Sequence, residues 1–168
     1  MRTQLRRLGF APLFDAVWVC PYHRADRAER ALGQLGVGTY TVFRQAGAGA
    51  GTDPLAAFDL DPVRERYERL IERLEAAEER MTAADLPPEE ALIIRTELMD
   101  RWRQAPRWDP SLPPALLDDD WPGFRARQLF NRVYDTLGPL AVTRVREIVE
   151  PFSQSVARRA TYHPMLPN

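Results

Sequence analysis

The pattern of apolar and polar positions changes character near residue 60. Before that point, β-branched and aromatic runs predict three short strands, and good helix formers predict one helix over residues 25–36 that ends at a glycine. The predicted strands cover residues 9–13, 16–20 and 39–43. Beyond residue 60, apolar residues recur at helical spacing. The chain is therefore predicted to fold as a small αβ portion followed by an all-helical portion.

Four helices are predicted in the second portion, beginning at Asp61, at Pro87, after Gly123 and at Leu140. The apolar stripes consist of Val63, Tyr67, Leu70, Ile71 and Leu74 in the first helix, Ala91, Ile94, Leu98 and Trp102 in the second, and Ala126, Leu129, Phe130, Val133, Tyr134 and Leu137 in the third. Four prolines make residues 106–120 irregular. The tail from about residue 153 is predicted to be loosely held.

Composition narrows the function classes. Hydrophobic residues make up 45% and charged residues 28% of the chain, a normal globular balance, and no apolar run is long enough to span a membrane. The formal net charge is −1, and all 23 basic residues are arginine. A DNA-binding chain usually has a basic excess, so direct DNA binding by this segment is not expected. The single cysteine and the absence of a signal peptide predict a cytoplasmic protein.

Catalytic and metal motifs are not found. The two histidines, His23 and His163, are far apart, and Cys20 ends an apolar strand, where a small core residue is expected. The acidic run Asp118–Asp120 is read as the solvated cap of the following helix, with a divalent-cation site as the alternative. The glycine-rich stretch 46–52 is read as a linker, because its spacing does not match a phosphate-binding loop. We therefore predict no catalytic residue, no metal and no cofactor.

An arginine–tryptophan cluster near the end of the second helix is the candidate ligand site. Guanidinium groups bind phosphate through paired hydrogen bonds, and an indole face can stack on an aryl group. Such a cluster could hold a coenzyme A thioester. Alternatively, the tryptophan packs in the core and the arginines pair with nearby carboxylates. The candidate residues are Arg95, Arg101, Trp102, Arg103 and Arg107.

Three blocks of sequence resemble the PaaX family of transcriptional regulators. Residues 95–103 (RTELMDRWR), 109–117 (DPSLPPALL) and 120–130 (DWPGFRARQLF) are similar to the C-terminal domain of that family. Residues 8–13 and 17–21 resemble its middle domain, which is similar to the ferredoxin-like fold of the small CRISPR adaptation nuclease. Phe58-Asp59-Leu60 stands where the family usually has Trp-Asp-Leu. The resemblance spans about residues 5 to 150.

The resemblance implies a fold and a function. The implied protein has an N-terminal winged helix-turn-helix, a ferredoxin-like middle and a helical C-terminal domain. Its effector is an aryl-CoA or acyl-CoA thioester that releases the repressor from its operator. We accordingly expect an α+β chain: a partial ferredoxin-like domain over residues 1–58 with strands 2–4 but no first strand, a helical domain over 59–152, and a tail over 153–168.

The missing first strand and winged helix have three possible origins. The start codon is assigned too late, the chain is a natural remnant or fragment, or a partner chain supplies the strand. Without that strand, two sheet edges would carry unpaired backbone groups.

Three functions remain open at the level of sequence. The leading prediction is the effector-sensing and dimer-forming part of a repressor of aromatic catabolism, binding DNA only through a winged helix that this chain lacks. A second is a stand-alone interaction module that forms mixed dimers with full-length regulators. The third is a metal-dependent nuclease, for which Asp15 would have to be essential.

Overall fold

The computed structural model describes residues 1–44, 53–82 and 86–165. The glycine-rich stretch at 46–52, predicted to be a linker, lies outside these residues. The chain divides into two compact units. The first contains residues 1–60 and 110–118, and the second contains residues 61–109 and 119 onward.

A two-stranded antiparallel sheet and two helices form the first unit. The helices are α1 (Arg2–Arg7) and α2 (Ala25–Gln34), and the strands are β1 (Ala11–Phe14) and β2 (Val17–Val19). Ala11 pairs with Val19, and the register shifts before Phe14 pairs with Val17. The two strands predicted at 9–13 and 16–20 and the helix predicted at 25–36 are therefore confirmed as β1, β2 and α2.

Both helices of this unit end on a glycine with positive φ. Gly36 has φ +68°, its N–H donates to the Gly33 carbonyl, and the Val37 N–H donates to Leu32 over 3.1 Å. This arrangement satisfies the last carbonyls of α2, and only glycine adopts it without strain. Val37 then packs against the small apolar core made by Leu5, Ala28 and Leu32. The predicted glycine cap is confirmed.

The predicted third strand at 39–43 is wrong. Those residues have no regular secondary structure, and the Phe43 side chain is 75% exposed. A strand is stabilised by hydrogen bonds to a neighbour and by burial of one face. Within the described residues, this segment pairs with neither β1 nor β2. High β-propensity alone therefore did not make it a strand.

The described residues of the second unit form helices and loops but no strand. Its helices are α3 (Asp61–Thr82), α4 (Pro88–Gln104), α5 (Pro122–Thr136), α6 (Gly138–Val149) and the short α7 (Gln154–Ala157). Helix α3 packs mainly on α5, and α4 on α6. The largest fully buried side chains are Leu74, Phe130, Val133 and Leu137. All four belong to predicted stripes, so the helical periodicity identified the core correctly.

Ion pairs join neighbouring helices on the surface of this unit. Arg80 of α3 forms two 2.7 Å hydrogen bonds with Glu90 of α4, and Arg132 of α5 pairs with Glu78 of α3 at 2.7 Å.

The described part of the chain is mostly helical and contains one small sheet, which confirms the α+β class. The ferredoxin-like arrangement stays a prediction. No helix in the described part of the chain is long and apolar enough to cross a membrane.

Candidate functional site

Helix α4 carries four of the five predicted ligand residues but sends them in different directions. Arg95 and Trp102 are seven residues apart, which places them on the same helix face, and this face is turned inward: Arg95 is buried and Trp102 is half-buried. Arg101 and Arg103 are exposed, as is Arg107 in the 3₁₀ turn that follows α4. The structure therefore separates two interior residues from three surface residues.

Trp102 begins a column of stacked aromatic rings. Its indole lies parallel to the Phe130 ring, with centroids 4.5 Å apart, and Phe130 stacks in turn on Tyr134 at 5.2 Å. Such offset contacts add to the stabilisation from burial. One face of Trp102 is therefore already occupied, in agreement with the packing alternative for this residue.

Arg95 stands at the other end of this column. Its guanidinium carbon lies 3.8 Å from the centroid of Tyr134 and 5.2 Å from that of Tyr162. Only 9% of the residue is exposed. Nη2 donates a long 3.4 Å hydrogen bond to the His163 carbonyl, and buried Nε has no partner. Among the described residues, no carboxylate pairs with this buried cation.

The C-terminal segment lies against this arginine. Arg146 donates to the Ala160 carbonyl over 2.9 Å, and the Met165 N–H donates to Asp135 Oδ1 over 2.8 Å. The Tyr162 ring lies so close to Gly138 that a Cβ there would come within 2.5 Å of it. The prediction of a loosely held tail is therefore wrong for residues 154–165, because backbone contacts, invisible to side-chain periodicity, hold it in place.

The three exposed arginines do not form the ion pairs expected from the alternative interpretation. Within the described chain, Arg101, Arg103 and Arg107 make no salt bridge. Their guanidinium groups thus keep donors available for an anionic ligand. Two surface depressions, of about 430 Å³ in the first unit and 260 Å³ in the second, are lined by other residues.

A second cluster explains two of the sequence blocks through packing. The Tyr67 hydroxyl donates to Asp109, and the Tyr67 ring meets Trp108 and Trp121 edge to face, at 4.9 and 6.2 Å. Burial, together with the hydrogen bond to Asp109, raises the pKa of Tyr67 well above its ordinary value. A Cβ on Gly123 would lie only 2.6 Å from Trp121 Nε1. The Trp-Pro-Gly sequence is thus required by a tight local fit.

The acidic run Asp118–Asp120 does not cap α5. Trp121 is the N-cap residue, and no side chain caps this end. The three aspartates are exposed, and Asp120 pairs with Arg64 at 3.6 Å. The capping prediction is therefore wrong, because α5 begins at Pro122 and Trp121 occupies the capping position, so the aspartates lie before it. Among the described residues, no group of three potential ligands could hold a metal ion.

Comparison with known proteins finds two family domains along the chain. Residues 58–147 match the PaaX-like protein C-terminal domain, and residues 1–57 match the PaaX protein central Cas2-like domain. The chain is 26% identical over 156 residues to the transcriptional repressor PaaX of Escherichia coli strain K12. This alignment covers 88% of the chain but only 49% of the repressor, so the chain spans about half of that relative's length. No solved structure matches significantly.

Proposed function

Because this chain belongs to the PaaX family of transcriptional regulators, we propose that it is the effector-sensing and dimer-forming part of a repressor of aromatic catabolism. The observation that carries this proposal is the match to two family domains in order along the chain. In this proposal a winged-helix domain outside the chain binds the operator in the cytoplasm. The net charge of −1 agrees with a part that does not itself contact DNA.

The proposed effector is an aryl-CoA or acyl-CoA thioester. The three exposed arginines Arg101, Arg103 and Arg107 would hold its phosphates, since a guanidinium binds phosphate through a two-pronged fork. Their freedom from ion pairs within the described chain supports this role. Trp102 would have to contact the acyl group with the side of its ring that does not face Phe130.

Thermal unfolding with and without phenylacetyl-CoA tests this proposal. At 100 times its dissociation constant, a ligand specific for the folded state adds about 2.7 kcal/mol of stability. We expect this gain with the thioester and a smaller one with free coenzyme A. The variant Arg103→Gln should lose most of the gain, whereas Arg73→Gln, which removes an exposed charge from α3, should keep it. An unchanged melting temperature with the thioester would reject the proposed effector.

Dimer formation is the second part of the proposal. Exposed apolar side chains near the end of the helical unit support it: Ile148, Phe152, which is 86% exposed, and Val156. Apolar residues concentrated in this way are typical of interfaces. The sedimentation coefficient should decrease to that of a monomer in Phe152→Asp but not in the control Phe43→Asp. Equal behaviour of the two variants would contradict a dimer through this surface.

Mixed dimers with a full-length regulator are the alternative function. The match to two domains of the PaaX family supports this alternative. Co-purification of a full-length relative with the wild-type chain, lost in Phe152→Asp, would favour it over self-association.

A further inference from the structure

Arg95 has the geometry of an anion-binding residue, because two of its donors lie side by side and one of them has no partner in the described part of the chain. A guanidinium carries five N–H donors and cannot lose its charge in a protein. Within the described residues, Arg95 makes one hydrogen bond, to a backbone carbonyl at 3.4 Å, close to the upper limit for such a bond. The two tyrosine rings attract the cation, but they offset only part of the cost of burying it.

The edge of the guanidinium that faces the C-terminal segment is the relevant one. Nε–H and Nη2–H point in parallel from one side of an arginine and together match the two oxygens of a carboxylate or phosphate. In Arg95, Nη2 reaches the single oxygen of the His163 carbonyl, while Nε has no partner. A carbonyl can serve only one arm of this fork, whereas an anion with two oxygens would serve both.

Residues 160–165 close this edge as a strap, by which we mean a segment fixed at several points but little buried. The points are the Arg146 bond to Ala160, the Tyr162 ring on Gly138 and the Met165 bond to Asp135. Thr161, His163 and Pro164 are exposed. Three attachments hold the strap in place, but its exposed residues bury little area, so it opens without unfolding of the helices.

We propose that Arg95 binds a carboxylate or phosphate group that takes the place of the His163 carbonyl, and that the strap must open for the ligand to enter. Asp135, next to Tyr134 in the chain, forms no salt bridge with Arg95; its Oδ1 accepts from the Met165 N–H. Ligand binding and strap closure are therefore mutually exclusive. This inference rests on the proposed sensing function and deepens it by naming the charged group and the moving segment.

The N–H signal of Arg95 Nε in a ¹⁵N–¹H spectrum tests the proposal on the wild-type chain, with Arg95→Met identifying the signal. The probes are inorganic phosphate and phenylacetate, titrated at constant ionic strength. We expect a saturable shift of this signal with at least one probe, and the probe that binds more tightly identifies phosphate or carboxylate as the source of the anion. A signal that responds to neither probe would overturn the proposal.

Matched variants separate a specific site from a general salt effect. Phosphate stabilises many folded proteins by exclusion from their surfaces, so the melting temperature is compared across variants. Arg95→Met should lose the saturable part of the increase, whereas Arg73→Met, the same change at an exposed position of α3, should retain it. Equal increases in all three chains would mean a general salt effect only and would reject the site.

The strap is tested by Gly138→Ala, which leaves Arg95 unchanged. The added Cβ would lie 2.5 Å from the Tyr162 ring and must displace it. If the strap is open about a tenth of the time, the apparent dissociation constant in this variant falls by up to about tenfold. An unchanged or weaker affinity would contradict the competition between strap and ligand.

Failure of the Arg95 anion site and failure of the proposed thioester effector give different experimental results. A shifted Nε–H signal with phosphate, but no stabilisation by phenylacetyl-CoA, would reject that thioester and retain the anion site. Stabilisation by the thioester with an unchanged Nε–H signal would retain the sensing function and reject Arg95 as its anion-binding residue.

Discussion

Adding one methyl group at Gly123 should have the opposite effect from adding one at Gly33. Both glycines lie in helices, Gly123 in α5 and Gly33 in α2. A Cβ on Gly33 would meet nothing within 4 Å. On Gly123 it would lie 2.6 Å from Trp121 Nε1 and 3.1 Å from Tyr67 Cε2. Both neighbours are buried, so neither can move aside into solvent.

The magnitude follows from two opposing terms. Forcing a methyl group into a filled interior costs about 1–3 kcal/mol, while replacing glycine by alanine in a helix returns up to about 1 kcal/mol. Gly123 is only the second residue of α5, where the gain for a helix interior applies in part, so Gly123→Ala should lower the free energy of unfolding by about 1–2 kcal/mol. For a chain of this size, the melting temperature should fall by about 2–8 °C. Gly33→Ala should raise the free energy of unfolding by about 0.5–1 kcal/mol.

Urea unfolding of the two variants beside the wild-type chain provides the measurement. Circular dichroism follows helix loss, and tryptophan fluorescence reports on the surroundings of Trp121. A Gly123→Ala chain as stable as the wild type would refute the claim that this glycine is required by contact with Trp121 and Tyr67. A destabilised Gly33→Ala chain would refute the same reasoning from its other side.

Three further predictions concern the helical unit. Phe130→Ala should lower the free energy of unfolding by about 3–5 kcal/mol because it leaves a cavity beneath Trp102. The exposed control Phe43→Ala should change it by less than about 0.5 kcal/mol, and similar urea midpoints for the two variants would contradict this. Tyr67→Phe should lower the free energy of unfolding by about 1.5–3 kcal/mol, because it removes a hydrogen bond to a charged group. A loss no greater than that of the control Tyr40→Phe, at an exposed position, would contradict this prediction. The hydrogen bond from Arg132 lowers the pKa of Glu78 below its ordinary 4.5. The stabilisation from this ion pair is therefore fully present above pH 4.5, and it is lost as the pH falls through the lower pKa that Glu78 has in the folded chain. The difference in melting temperature between the wild-type chain and Glu78→Gln should accordingly become smaller in acid. A difference that becomes larger in acid would contradict the lowered pKa of Glu78.

The helical unit was predictable because burial there follows a single period. The stripe that begins at Val63 and ends at Leu74 is buried along its whole length, as is most of the stripe of α5. Periodicity of 3.6 residues is a local property, so it can be read without knowledge of the partner helix. The prediction of a strand at 39–43 was wrong because strand formation is not a local property: a strand forms only where a neighbouring strand pairs with it.

The surroundings of Arg95 were only partly predictable. The arginine-rich context of Arg95 predicted a ligand residue, but the sequence did not predict that this residue is buried. One signal was available: Arg95 is spaced at helical intervals from buried Ala91 and Leu98, so it belongs to the inward face of α4. Its contact with Tyr162 could not be inferred, because that residue lies 67 positions away in a segment without periodicity.

The segment 110–118 affects how the chain can fold as it emerges from the ribosome. It belongs to the first unit, although the helices before and after it belong to the second. Domains usually fold in order of synthesis, each as soon as its last residue is available. Here the first unit is incomplete until residue 118 has been made, and by then α3 and α4 have been synthesised without α5 and α6. The first unit of a nascent chain should therefore stay incomplete for longer than the first domain of a protein with uninterrupted domains.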